Sequence, residues 1–246
     1  MDKLVIDENY DVNELQASTL KWKEIWIKRE IKYGDDKLLS LIRLDGFDHS
    51  AGNISKVDWM KYVNWIKSKL VIDGTSSIFE IGCGGGAFIY PFYKMGHRVG
   101  GIDYSDSMIK NIQNAIPSMK FYCCEAAKLK VSKKFDVVIS NSVFQYFPSY
   151  DYAEEVVNKM LNKAIKKIAV LDINDIDKKN SANKLRRGTL SEEEYKTKYS
   201  GLDHLFYDKT FFIDIAKEFN CNAQVFSQNI RGYGNNPLRF NVIISK

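Results

Sequence analysis

Between residues 77 and 173 two kinds of apolar pattern alternate along the chain. Short continuous runs, "SIFEI" (77–81), "RVGGI" (98–102), "KFYCC" (120–124), "FDVVIS" (135–140) and "KIAVLDI" (167–173), are separated by stretches with helical spacing at 86–95, 106–115 and 151–165. Short runs of this kind predict buried strands, and the stretches between them predict helices. Strands joined through helices form βαβ units in a parallel sheet, and right-handed crossovers place the helices on both faces.

The flanks differ. Residues 13–33 read as an amphipathic helix ending at Gly34. Ser55 and Asp58 have capping-box spacing, and Trp59, Tyr62, Val63, Ile66 and Leu70 then share one helical face. Near the end, "YDKTFFIDIAKEF" predicts a further helix. The strand-like "NAQVFSQN" and "RFNVIISK" follow, joined by "IRGYGNNPL" as a long hairpin. The expected architecture is a doubly wound α/β core over 71–246, with a helical cap over 1–70 and an excursion over 172–206 above the sheet.

Composition narrows the classes. With 246 residues, 45% hydrophobic and 13% aromatic, the chain can bury a core. No apolar run approaches bilayer length, and "MDKLVIDENY" is acidic where a leader would be basic, so a soluble cytoplasmic protein is expected. The net charge of +5 is mild, and the single basic cluster, "KKNSANKLRR", is short; both weigh against a nucleic-acid partner. The four cysteines form no Cys-x-x-Cys pair and only three histidines exist, so no metal site is expected and the thiols read as buried and reduced. His97 reads as a residue of an exposed turn.

Candidate chemistry gathers at the ends of the predicted strands. "FEIGCGGGAFIY" (79–90) puts four glycines behind an apolar run, a pattern that lets a ligand press against bare main chain. Asp103 ends the second strand, where a carboxylate can accept hydrogen bonds from ribose hydroxyls; nicotinamide enzymes share that device. Three features tilt the reading away from a dinucleotide. Glu80 precedes the first glycine by two residues, and its charge suits a cationic ligand and opposes a pyrophosphate. Glu125-Ala126 ends the third strand, where an adenine amino group could be bonded. "FDVVISNSVFQYFP" runs from the fourth strand into a polar and aromatic loop.

In order and spacing, "FEIGCGGGAF", "VGGIDYSDSMI", "FYCCEAAKL" and "FDVVISNSVFQYF" resemble the successive core motifs of the class I S-adenosylmethionine-dependent methyltransferases, especially the small bacterial ones with a Rossmann-like core. "HLFYDKTFF" with "GYGNNPLRFNVII" is similar to the close of some of these enzymes, where the last strand inserts antiparallel beside its neighbour. The resemblance covers about residues 45–246 and implies a seven-stranded, mostly parallel sheet. It also implies S-adenosyl-L-methionine as cofactor and S-adenosyl-L-homocysteine as product. By position, Gly82, Cys83 and Gly84 would border the methionine part and Glu80 would anchor its amino end. Asp103 would hold the ribose, Tyr104 and Met108 would flank the adenine, and Glu125 and Ala126 would reach its edge. Asn141 and Ser142 would line the path to the methyl. Pro91 departs from the pattern and would kink the helix after the glycine loop.

The acceptor is less defined. The proline pair that follows the fourth strand in amino-methylating nucleic-acid enzymes is replaced here by Asn141-Ser142-Val143-Phe144, and no Pro-Cys pair exists, which points to a small molecule. A hydroxyl acceptor is expected, such as a sugar or sugar phosphate of surface polysaccharide synthesis, with an anionic group suiting the basic cluster. His204 is the expected base and His49 the alternative. Phe144, Gln145, Tyr146, Tyr207, Tyr233 and Arg239 would wall the pocket. A small amine acceptor, a non-catalytic adapter and a nicotinamide-dependent oxidoreductase remain as alternatives.

Overall fold

Seven of the apolar runs form one sheet. Its strands are β1 (Ile78–Ile81), β2 (Val99–Asp103), β3 (Lys120–Cys123), β4 (Phe135–Asn141), β5 (Ala164–Asn174), β6 (Asn222–Ser227) and β7 (Arg239–Ser245). The computed structural model describes residues 12–30, 34, 36–47 and 54–246, with side chains from Thr19 onward. The strand order is β3-β2-β1-β4-β5-β7-β6. The first five strands pair in parallel, and β7 lies antiparallel between β5 and β6. The order therefore reverses between β1 and β4, and an open α/β sheet offers a crevice at such a point, beyond the carboxyl ends of its strands.

Helices cover both faces. On one side lie α2 (Lys37–Leu44), α3 (Lys56–Leu70), α4 (Ile89–Lys94) and α5 (Asp106–Ala115), whose Leu41, Trp59, Phe92 and Ile112 share a core with Ile78, Ile139 and Ile243 of the strands. On the other lie α6 (Tyr150–Lys163) and α9 (Lys209–Glu218), whose Val157, Met160, Phe212 and Ile215 pack on Phe79, Val138, Phe240 and Val242. Successive strand residues point to opposite faces, so each strand supplies both cores. Side-chain caps start the helices where expected: Ser55 Oγ accepts from Asp58 N at 3.1 Å and Ser105 Oγ from Met108 N at 3.3 Å. Between β5 and α9 the chain carries α7 (Lys179–Arg187) and α8 (Glu192–Tyr199). None of the described side chains of α1 (Val12–Ile27) belongs to either core.

Several sequence expectations are corrected. The first helix ends at Ile27, well before Gly34, and the unforeseen α2 follows it. Pro91 is the third residue of α4, in the first turn, where its missing N–H has no helical partner to lose, so it does not break the helix. His97 is not exposed: it is 2% accessible, and its Nδ1 lies 3.1 Å from the Ser76 carbonyl. Of the cysteines only Cys83 is buried. Cys123 is exposed, because β3 is the sheet edge, and Cys124 and Cys221 are half-buried. His49 lies outside the described residues.

Candidate functional site

At the order reversal the ends of β1, β2 and β4 open into a cavity. Its floor is the loop after β1. Gly82 (φ 67°), Gly84 (φ 50°) and Gly86 (φ 102°) hold left-handed conformations there that a side chain would strain. A Cβ on Gly82 would stand 2.4 Å from Val143 Cγ2, so the loop also needs glycine to pass the end of β4.

Every residue expected around the cofactor lines this one cavity: Glu80, Gly82, Cys83, Gly84, Asp103, Tyr104, Met108, Glu125, Ala126, Asn141 and Ser142. Asp103 accepts from Gly84 N on Oδ2 and from Ser105 N on Oδ1, each at 2.9 Å, so the second strand's carboxylate ties the glycine loop to its own turn. Burial raises its pKa to about 6 against the pull of those amides. Glu80 is 2% exposed and its Oε2 has no partner; burial and the neighbouring Asp45 and Asp103 lift its carboxyl well above the usual range. Glu125 Oε1 receives Lys23 Nζ at 2.6 Å, and its Oε2 receives the Tyr152 hydroxyl at 3.4 Å. Asn141 Oδ1 accepts from the Tyr62 hydroxyl at 3.1 Å.

The residues expected around the acceptor are scattered. Tyr146 lines the cavity, whereas Phe144, Gln145, Tyr207, Tyr233, Arg239 and His204 do not. Phe144 and Tyr207 are core residues, 1% and 0% exposed, joined by a 2.8 Å bond from the Tyr207 hydroxyl to the Phe144 carbonyl. Gln145 turns inward and donates to the Ser142 carbonyl and hydroxyl, each at 2.9 Å. Tyr233 and Arg239 belong to a polar network around Asp172 at the end of β5. The Tyr233 hydroxyl reaches Asp172 Oδ2 at 2.9 Å, Gln228 Nε2 reaches Oδ1 at 3.1 Å, and Arg239 Nη1 reaches the Asp172 carbonyl at 3.2 Å. His204 stands one layer behind the cavity wall. Its ring stacks on Trp22 at 4.8 Å and meets Tyr146 edge-on at 5.3 Å, and its buried Nε2 has no partner. Burial, with Arg186 and Arg239 nearby, holds its pKa well below the ordinary histidine value.

Sequence reasoning missed the other wall. Trp22, Lys23 and Trp26 of α1 line the cavity, as does Asp45 just after α2. Asp45 accepts from Gly85 N at 2.6 Å and Ala87 N at 2.8 Å, and desolvation lifts its pKa to about 7. The Asp45-Gly46 pair reads in sequence only as a turn. Among the described residues no cluster of His, Cys, Asp and Glu could hold a metal ion, and no helix is long and apolar enough to cross a membrane.

Residues 78–167 match a family model described as a methyltransferase domain. Over 98 residues the chain is 26% identical to the malonyl-acyl-carrier-protein O-methyltransferase of Bacillus cereus, covering 38% of this chain and 36% of that enzyme. The chain spans about half or less of the curated relatives it matches, from 2% to 55% of their lengths. The fold is shared with the plantazolicin methyltransferase solved in complex with a triazolic desmethyl analogue and S-adenosylhomocysteine: TM-score 0.62, 14% identity, 96% of this chain and 98% of that one. It is also shared with the magnesium protoporphyrin IX methyltransferase of Synechocystis PCC 6803 with bound S-adenosylmethionine: TM-score 0.58, 14% identity, 100% of both chains.

Proposed function

We propose that the chain is a class I S-adenosylmethionine-dependent methyltransferase, that the cavity holds this cofactor and that the protein methylates a small-molecule acceptor. The observation that carries the reading is the convergence of Glu80, Asp103 and Glu125 on one cavity floored by glycine main chain. The residues fit such a ligand. Glu80 Oε2 is a buried acceptor with no donor, suited to an α-ammonium group, and the glycine floor is a cradle that side chains would fill. On this reading Asp103 accepts from ribose hydroxyls. Glu125 and Ala126 then reach the adenine edge, and Tyr104 and Met108, which line the same cavity, flank the ring.

When bound, the cofactor supplies a methyl group already activated on a sulfonium. The chain has three remaining tasks. It must place the acceptor in line at about 3–3.5 Å from the methyl carbon, exclude water and accept a proton. Trp22, Trp26 and Tyr146 provide aromatic walls for the first two tasks. For a hydroxyl acceptor His204 is the base: burial keeps its imidazole neutral but also opposes its protonation, so the ring takes a proton only once its surroundings open toward the acceptor. Trp22 and Tyr146 screen it, so one of these rings must turn aside when the acceptor binds.

Titration calorimetry with S-adenosylhomocysteine and with NAD tests the cofactor. The homocysteine ligand should bind and NAD should not, because three carboxylates oppose a pyrophosphate. Binding of NAD alone would overturn the assignment.

A further inference from the structure

We propose that Asp45 is a cofactor-site residue, whose carboxylate braces the glycine loop and, with Glu80, brackets the α-ammonium group of the bound amino-acid tail. This rests on the cofactor reading above. The geometry starts from the loop. A Cβ on Gly84 would stand 2.5 Å from Asp45 Oδ1, and one on Gly85 would stand 2.3 Å from Leu44 Cδ2. The end of α2 is therefore pressed against main chain that must stay bare. Two amides of that loop, Gly85 N and Ala87 N, bind the Asp45 carboxylate at 2.6 and 2.8 Å. Gly84 N, just before them, goes to Asp103. The loop is thus clamped by two carboxylates on opposite sides, one of them supplied by a helix outside the strand motifs.

A carboxylate that only braced a loop would not need two further acids beside it. Asp45, Glu80 and Asp103 all line the same cavity, and Glu80, 2% exposed, carries a buried carboxylate oxygen that has no hydrogen-bond partner. The groups facing Asp45 are Glu80 from β1, Cys83 from the loop, Asp103 from β2 and Arg29 beyond α1. Arg29 is the one cation among them, and its Nη1 is turned to the Leu44 carbonyl at 2.7 Å while its guanidinium lies over Trp26. Burial is the main cause of the raised pKa values of Asp45, Glu80 and Asp103, and repulsion from a neighbouring acid adds to it in each case. A ligand ammonium supplies the missing charge where the acids converge.

The test separates the amino-acid tail from the rest of the ligand. S-adenosylhomocysteine carries the tail; 5′-methylthioadenosine keeps the adenosine and sulfur but lacks it. In calorimetry on the full chain, Asp45→Asn should weaken S-adenosylhomocysteine by about tenfold, the scale of one charge-assisted contact, and leave methylthioadenosine within about twofold. Asp45→Ser, which adds no amide donor against Gly85 and Ala87, should behave alike. In buffers of different ionisation enthalpy at pH 6.5, the wild type should release protons on binding, and Asp45→Asn should release fewer. Equal weakening of both ligands would reduce Asp45 to a brace. An unchanged or tighter S-adenosylhomocysteine affinity would overturn the proposal outright. If the wild type binds neither ligand, the cofactor reading itself fails.

Discussion

His204 and Asp45 titrate away from their ordinary values in ways that act on stability with opposite sign over the same acidic range. The folded pKa of His204 is depressed, so below about 6.5, the unfolded value, the unfolded chain takes up a proton that the folded ring resists. Its contribution is present above that pH and lost below it. Thermal unfolding between pH 5 and 7.5 should show this loss, and His204→Gln should flatten it. The carboxylates reverse the sign. With folded values of about 7 for Asp45 and about 6 for Asp103, against about 3.9 when unfolded, the folded protein holds their protons more tightly. Their contribution is full below about pH 4 and lost as the pH rises through 6 and 7. Asp45→Asn should make the ligand-free protein lose less stability over that interval; an identical pH profile for the variant would contradict this placement of the charge. Asp103→Ala should weaken S-adenosylhomocysteine by about 1.5–3 kcal/mol in calorimetry, the range for a hydrogen bond to a charged group.

At the scale of elements, the glycine loop is where local and distant constraints meet. Gly84→Ala adds a strained φ of 50° and a 2.5 Å contact with Asp45, so cofactor affinity should fall. Part of that loss comes from the contact. Gly84→Ala should therefore cost less in an Asp45→Gly background than in the wild type, and strict additivity in a double-mutant cycle would deny the contact. The same loop shows what could be read from sequence. Glu80, Asp103 and Glu125 sit at the ends of apolar runs, so their common location follows once the runs are strands of one parallel sheet. Asp45 carries no such mark. It reaches the loop from 39 positions before Gly84, by packing that no local pattern encodes. Its helix, "KLLSLIRL", spans only Lys37–Leu44, too short for periodicity to declare it. The buried state of His97 and the core positions of Phe144 and Tyr207 are likewise products of tertiary packing. Pro91 misled for a local reason: the helix begins three residues later than its apolar spacing suggests.

Across the whole molecule, the N-terminal helices make two different kinds of contact with the sheet. Trp59 of α3 is fully buried among Phe47, Tyr62 and Phe88, and its Nε1 donates to the Ala87 carbonyl at 2.9 Å, just beyond the glycine loop. Trp22 of α1 is only half-buried. It stacks on His204, meets Tyr146 and donates to the Asp203 carbonyl at 2.9 Å, joining α1 to the segment that precedes α9. The neighbouring Lys23–Glu125 pair, about a third exposed, adds at most about 1 kcal/mol. Large apolar area therefore holds α3, whereas rim contacts around the cavity hold α1. Trp59→Ala should cost about 3–5 kcal/mol and lower the melting temperature markedly. Trp22→Ala removes no core residue, so its melting temperature should stay close to that of the wild type. It does remove the ring that both closes the cavity and positions His204, and misplacement on that scale costs about 10²-fold in turnover. Measured together, melting temperature and release of S-adenosylhomocysteine should move in opposite proportion for the two tryptophans. A Trp22→Ala protein that unfolds as early as Trp59→Ala would place α1 in the core and remove it from the machinery of the site.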